Sequence, residues 1–176
     1  PVIVDVGVST YEKNERRLLE RSTSSHNCVV FGSNSSDVWS GFRVGKRANV
    51  KIDLDDSQKL MATHDGFGTL TSRTFDSTVT GQITITDELV YQSTSKGNNG
   101  KGYLHFHPDV HLEQIDKTSF LINNQIELSF KGDKYNPMVI GLEDYNYAKG
   151  YNRLLNAPVI SYSVFEQTII QIREAS

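Results

Sequence analysis

A chain of 176 residues has the size of one domain, and a sandwich or barrel of that length buries most of the surface that its unfolded chain exposes. Its formal net charge is −3, which argues against a general nucleic-acid binder, because such a protein gains its affinity by neutralising phosphates. No apolar run approaches the roughly 18 residues of a membrane helix, so we expect neither nucleic acid nor a membrane as a partner.

Short segments with an alternation of apolar and polar residues recur along the chain, each bounded by turn-forming residues. In chain order they are "VIVDV", "NCVVF", "GQITIT", "GYLHFH", "SFLINN", "QIELSF", "PVISYSVF" and "TIIQI". This alternation is typical of a strand with one buried face. Many such strands predict an all-β fold, an antiparallel β-sandwich of two packed sheets that forms a single domain over residues 1–176.

Three further local features follow from the pattern. The segment "YEKNERRLLER" at residues 11–21 favours a helical turn, and Asn123 with Asn124 predicts a tight hairpin, because asparagine tolerates the left-handed backbone that such turns require. The composition of residues 93–102 indicates a flexible loop. Alternation predicts a core that includes Ile83, Ile85, Leu104, Phe106, Ile126, Leu128 and Phe130.

Charge and aromatic residues mark a second region of interest. Residues 11–51 carry eight basic and four acidic side chains, which favours either a solvated surface or a contact with a polyanion. Trp39, the only tryptophan, is either a half-buried anchor of the core or a platform for sugar stacking, and the core is the favoured interpretation. Cys28, the only cysteine, is expected to pack as a small apolar side chain.

Histidines are the candidate metal ligands. His105 and His107 lie two apart in "HFHPDVH" and project from one face of a strand, as in the metal-binding pair of cupins. The glutamate and glycine of that pattern are missing at their spacings, so we prefer a polar, partly wet face. His64 precedes Asp65 and Gly66, and we favour a cap of that turn over a functional role.

Five segments in order are more specific than any of these features: "VDVGVSTY", "RRLLERSTSSHNCVV", "SSDVWSGFRVGKRA", "THDGF" and "YLHFHPDV". Together they resemble the C-terminal β-sandwich of the heparinase II/III-like family of polysaccharide lyases, over most of the chain. In that family an α/α-toroid domain precedes the sandwich, and the two cleave uronic-acid polysaccharides by β-elimination. The resemblance implies a C-terminal fragment of a longer, periplasmic or secreted lyase, with an acidic polysaccharide and the toroid of the parent chain as its partners.

The resemblance also implies a zinc site. Family members of the heparinase II type hold zinc with a histidine from an H-x-H-x-D stretch, an aspartate on the following strand and a histidine in an A-H-N segment. Asp5 in "VIVDVG" matches the aspartate and His26 in "SSHNCVV" matches the second histidine, so both are predicted ligands. The alternative for His26 is a hydrogen-bonded buried histidine beside Asn27. The H-x-H-x-D stretch is absent from the chain, which leaves fewer ligands than the four donors that zinc usually takes.

No catalytic residue is predicted in this chain. β-Elimination needs a base for the proton alpha to the uronate carboxylate and a group that neutralises that carboxylate. The family resemblance places these groups in the toroid and in the missing stretch, so we expect the isolated chain to be inactive. Tyr11 and four arginines are expected at most to contribute to the substrate cleft or to the interface with the toroid. The predicted substrate-binding residues are the arginines, Arg16, Arg17, Arg43 and Arg47. The alternative function is a non-catalytic carbohydrate-binding or structural sandwich.

Overall fold

The computed structural model describes residues 1–39, 42–91, 99–133 and 135–175. The described residues form one α-helix and fourteen strands. In chain order these are α1 (Glu15–Glu20), β1 (Val29–Val30), β2 (Val38–Trp39), β3 (Arg43–Val44), β4 (Val50–Asp55), β5 (Lys59–His64), β6 (Leu70–Asp76), β7 (Gln82–Tyr91), β8 (Gly100–His105), β9 (Leu112–Gln114), β10 (Ser119–Ile122), β11 (Ile126–Gly132), β12 (Ile140–Gly150), β13 (Arg153–Val164) and β14 (Gln167–Glu174).

The strands form two main antiparallel sheets, which confirms the predicted all-β sandwich. One sheet has four strands in the order β1-β8-β13-β12, and the other has eight in the order β4-β5-β6-β7-β14-β11-β10-β9. Strands β2 and β3 pair only with each other. Within the described ranges, no helix has the length and apolar character that a membrane crossing requires.

Side chains from both sheets meet in one core. The smaller sheet contributes Leu104, Ile160 and Tyr162, and the larger contributes residues such as Leu128 and Ile170, all nearly inaccessible to solvent. The predicted core was correct at Ile85, Leu104, Phe106, Leu128 and Phe130, and Ile126 packs against that core while partly exposed. Ile83 was predicted wrongly, because it is 47% exposed near the start of β7, where the smaller sheet does not cover it.

Local sequence signals explain the helix and the hairpin. The Asn14 side chain caps α1 by accepting a hydrogen bond of 2.9 Å from the Arg17 N–H, so the predicted helical turn is confirmed. Asn123 and Asn124 have φ angles of 50° and 56° between β10 and β11, which confirms the predicted tight turn. Residues 93–98 of the predicted loop lie outside the described residues. The last three residues of that loop, 100–102, belong to β8.

Residues 2–6 do not form the predicted strand. They make one isolated bridge, Ile3 with Phe106, and the Val4 N–H donates to the His105 carbonyl at 2.9 Å. Farther along, the Ala148 N–H donates to the Val6 carbonyl at 2.9 Å, so the segment passes from β8 to β12. The ladder is therefore too short for a strand, but it holds Asp5 against the smaller sheet.

Candidate functional site

Asp5 and His26 lie in direct contact on the surface. His26 Nδ1 is 2.7 Å from Asp5 Oδ2, and the Gly7 N–H donates to Asp5 Oδ1 at 3.0 Å. Burial acts to raise the pKa of the Asp5 carboxyl, but the hydrogen bonds and the charge of His26 outweigh it and hold that pKa below its ordinary value. An ionised Asp5 accepts the Nδ1 proton, which leaves the second ring nitrogen of a neutral His26 as an acceptor.

The neighbouring residue, Asn27, fixes this contact. Its side-chain NH₂ donates to the Val4 carbonyl at 2.9 Å, and its Oδ1 accepts from the His105 N–H at 2.7 Å. One amide side chain therefore joins three segments: the chain before Asp5, the chain after His26 and the end of β8. The predicted partners Asp5 and His26, which are 21 residues apart, are held together by this amide.

A buried ion pair supports Asn27 from the larger sheet. Arg73 donates to both carboxylate oxygens of Asp87, at 2.6 and 2.9 Å, and also to the Asn27 carbonyl. The Tyr162 hydroxyl donates to Asp87 at 2.7 Å, which ties the pair to the smaller sheet. Sequence reasoning missed this group, although Asp87 occupies an inward position of β7 at the same period as Ile83 and Ile85. A charge at such a position signals a buried partner.

His105 lies next to the site and is almost fully buried. Its ring packs edge-on against Tyr145 at 4.7 Å, and its Nδ1 is 3.3 Å from Asn27 Oδ1. Burial, with a smaller contribution from His26, lowers the pKa of His105 to about 4, although Asp5 opposes the shift. His107 packs against Tyr147 with ring centroids 5.5 Å apart, and its side chain is 23% exposed, so aromatic rings line a face that stays partly wet at His107, as predicted.

The described residues contain no group of three or more His, Cys, Asp or Glu side chains placed to hold one metal ion. Asp5 and His26 are therefore two potential ligands without a third from this part of the chain. His64 accepts from the Gly66 N–H at 3.2 Å, as expected of a turn cap. Cys28 is partly buried, and burial raises the pKa of its thiol to about 11, which makes it a poor nucleophile.

A cleft of about 280 Å³ opens beside His105. Its walls include Arg16, Tyr103, His105, Glu143, Tyr145 and Val159. Arg16 also donates to the Asn152 side chain at 2.9 Å, so its guanidinium is fixed at the rim. The cleft therefore combines ring surfaces with charged groups of both signs.

The other predicted substrate-binding arginines lie apart from this cleft. Arg17 is buried between the rings of Tyr11 and Phe42, with its Cζ 5.3 and 5.7 Å from their centroids. Arg43 lies 4.8 Å from the Trp39 ring centroid, and Arg47 is exposed in the segment that follows β3.

Trp39 is 48% exposed, so it is half-buried as predicted, but it does not pack against the core, which was the favoured interpretation. The tryptophan lies in β2, which among the described residues pairs with β3 and with neither main sheet. It packs instead against the Arg43 guanidinium.

Comparison with known proteins agrees with the family resemblance of the sequence. The sequence model of the family described as "Heparinase II/III-like, C-terminal" matches residues 1–173. No curated protein matches. Among solved structures, the heparan sulfate lyase HepC from Pedobacter heparinus is similar at a TM-score of 0.72 and 14% identity. The heparinase III that is the BT4657 gene product is similar at a TM-score of 0.69 and 16% identity.

In both comparisons the similar region covers 99% of this chain and 28% of the solved chain. This chain therefore spans little more than a quarter of their length, and at such identities the likeness shows the fold alone. Family membership follows from the sequence match over nearly the whole chain. The chain belongs to the heparinase II/III-like family, as a C-terminal domain of that family.

Proposed function

We propose that this chain is the C-terminal sandwich of a longer polysaccharide lyase that acts by β-elimination on uronic-acid-containing acidic polysaccharides. The contact of 2.7 Å between Asp5 and His26 carries the proposal, since it joins the two residues that the family resemblance marks as ligands. The similar solved structures are a heparinase III and a heparan sulfate lyase. In this proposal the sandwich supplies part of the metal site and part of the substrate surface, whereas the catalytic groups belong to the toroid.

The pair fits zinc in part. It offers one imidazole nitrogen and one carboxylate oxygen, both of which zinc accepts. His26 Nδ1 and Asp5 Oδ2 are hydrogen-bonded at 2.7 Å, so the two atoms would share one ion only after Nδ1 releases its proton and the metal replaces this direct contact. The remaining donors would come from the parent chain. Bound zinc would supply a fixed positive charge that orients neighbouring groups. Asn27 and Arg73 would keep the two ligands in place. Arg16 at the cleft, with the exposed Arg43 and Arg47, would form the basic part of the substrate surface, and the buried Arg17 would support it from behind.

The test uses the parent lyase and two exposed His–Asp pairs of the same domain. Asp5→Ala and His26→Ala should each lower the zinc content and the yield of unsaturated uronate, detected by its ultraviolet absorbance. His107 and Asp109, with Nδ1 and Oδ2 3.5 Å apart, provide the matched control, and their alanine variants should retain both properties. Unchanged zinc content after His26→Ala would remove the metal from the proposal.

A second candidate function, carbohydrate binding without catalysis, is favoured by the exposed Trp39 ring beside Arg43. The sequence upstream of Pro1 in the parent gene separates the two. A helical toroid ending in H-x-H-x-D supports the lyase, and a signal peptide directly before the sandwich supports the binding module. We also propose that the parent is periplasmic or secreted, which cell fractionation tests.

A further inference from the structure

Two tyrosines form a stacked pair on the surface near α1. Tyr11 is 61% exposed, and Tyr151, in the turn between β12 and β13, is 59% exposed. Their ring centroids are 6.3 Å apart, and the ring planes differ by 16°. Adjacent exposed rings of this size are a candidate binding surface, because apolar area left in water favours association.

The chain behind these rings is anchored. The Asn152 N–H donates to the Ser9 carbonyl at 2.7 Å, and Ser9 in turn donates through its N–H to the buried Glu20 carboxylate at 3.0 Å. The Arg16 guanidinium donates to Asn152 at 2.9 Å, which ties α1 to the turn that carries Tyr151. The two rings are thus positioned before any ligand arrives, which lowers the entropic cost of binding.

The surroundings of the rings are basic. Residues 11–17 and 149–153 together hold five basic and two acidic side chains, and four of the basic ones remain accessible because Arg17 is buried beneath Tyr11. Lys149 and Arg153 flank Tyr151 and are exposed, as is Lys13, two residues after Tyr11. Guanidinium and ammonium groups pair with carboxylates and sulfates, while the apolar face of a sugar ring packs on an aromatic ring. Rings and cations together suit an acidic sugar.

Arg16 connects the tyrosine pair to the cleft. Its guanidinium contacts Asn152 beside Tyr151 and also lines the cleft that contains His105. His105 in turn contacts Asn27, the residue after His26. A polymer that occupies the cleft near the Asp5–His26 pair would therefore reach the two tyrosines by passing Arg16.

We infer that Tyr11 and Tyr151 form a stacking subsite for an anionic polysaccharide, which holds a part of the polymer outside the cleft. The inference rests on the proposed function for its substrate class. The alternative is a docking surface for another protein domain. The flanking cations favour the polysaccharide, because an apolar partner would bury their charges without supplying anions to pair with them.

The experiment titrates the 176-residue chain with a size-defined heparan sulfate octasaccharide in a calorimeter. The double variant Tyr11→Ala/Tyr151→Ala should bind about tenfold more weakly. The variant Tyr11→Phe/Tyr151→Phe should stay within about twofold of wild type, because stacking uses the ring and not the hydroxyl. The control is Tyr135→Ala, an 85% exposed tyrosine beyond the opposite end of β12, which should bind as wild type.

Each outcome decides the inference. Equal affinity of the double alanine variant, absence of binding by wild type, or undiminished binding of a desulfated, carboxyl-reduced octasaccharide would overturn it. If the double variant does not fold by circular dichroism, the single variant Tyr151→Ala at the turn replaces it. If the tyrosine variants lose affinity while His26→Ala leaves the zinc content of the parent lyase unchanged, the stacking subsite is supported and the metal is removed from the proposed function.

Discussion

Asn27 is the residue on which the position of the Asp5–His26 pair depends most directly. Its amide satisfies the Val4 carbonyl and the His105 N–H, two backbone groups that water does not reach freely. A buried backbone group that is left without a hydrogen-bond partner lowers the stability of the folded chain by more than a solvent-exposed hydrogen bond contributes to it. The Asp5–His26 contact therefore depends on Asn27, whose side chain bonds to the backbone on either side of the contact and not to the two contacting atoms.

We expect Asn27→Ala to lower the free energy of unfolding by about 1–3 kcal/mol, because it leaves both backbone groups without their partner. Urea denaturation followed by fluorescence measures this change. Asn49 bonds to Asp65 at an exposed position, so Asn49→Ala serves as the matched control and should cost clearly less. A similar cost for the two variants would contradict the anchoring role of Asn27.

His105 should make stability depend on pH. Its pKa of about 4 in the folded chain lies below the ordinary value of 6.5, so the unfolded chain binds a proton more readily. The stabilising contribution is complete above about pH 6.5 and is lost as the pH falls toward about 4. Between about pH 7 and about pH 5 the loss should be about 1–2 kcal/mol. Denaturant titrations of wild type and His105→Gln measure it, and an unchanged pH slope in the variant would refute the assignment.

At the scale of elements, the smaller sheet is assembled around a close approach between β8 and β13. Gly102 in β8 pairs with Tyr162 in β13, and the Tyr162 ring occupies the space that a side chain on Gly102 would need. The fully buried ring then reaches across the core to Asp87 in β7. A glycine in the middle of a strand therefore permits the contact between the sheets.

Gly102→Ala should destabilise the chain by about 1–3 kcal/mol, the usual cost of forcing extra volume into a packed core. Thermal unfolding by calorimetry measures the effect as a lower Tm. Gly150, at the end of β12, has open space around the same added atom and no left-handed φ angle. Gly150→Ala should therefore be close to neutral, and equal losses at both positions would show that packing against Tyr162 is not the cause.

At the scale of the whole molecule, the chain presents a cleft beside His105 and the surface contact between Asp5 and His26. Its 28% share of the similar solved chains agrees with a domain that works beside others. In the proposed function, the basic side chains of residues 11–51 and the Asp5–His26 pair would belong to a surface that faces the substrate or a neighbouring domain of the parent.

Assayed alone on heparan sulfate or alginate, the 176-residue chain should release no unsaturated uronate, because it lacks the groups that the proposed mechanism places in the toroid. Ultraviolet absorbance of the reaction measures the product, and the parent lyase provides the positive control. Turnover by the isolated chain would place a base within it, and His105 in the cleft would be the first residue to replace.

The sequence by itself determined the all-β class, the helical turn before Arg21 and the turn at Asn123 and Asn124, because alternation, capping and left-handed backbone are local properties. It missed β2, β3, β4, β5, β6, β9 and β12. Every residue of β4 is exposed, and in β5, β6 and β12 the exposure of successive residues does not alternate strictly. The resemblance to the family identified Asp5 and His26, but not what places them together.

Tertiary structure alone decided the burial of individual residues and the contacts between distant ones. Trp39 and Ile83 look like core residues in sequence, and they are half exposed because no sheet covers them. Arg73 and Asp87 meet inside the sandwich, and Tyr11 meets Tyr151 across 140 positions of the chain. Such contacts depend on the order of strands in each sheet and on how the sheets overlap, and neither is a property of a short segment.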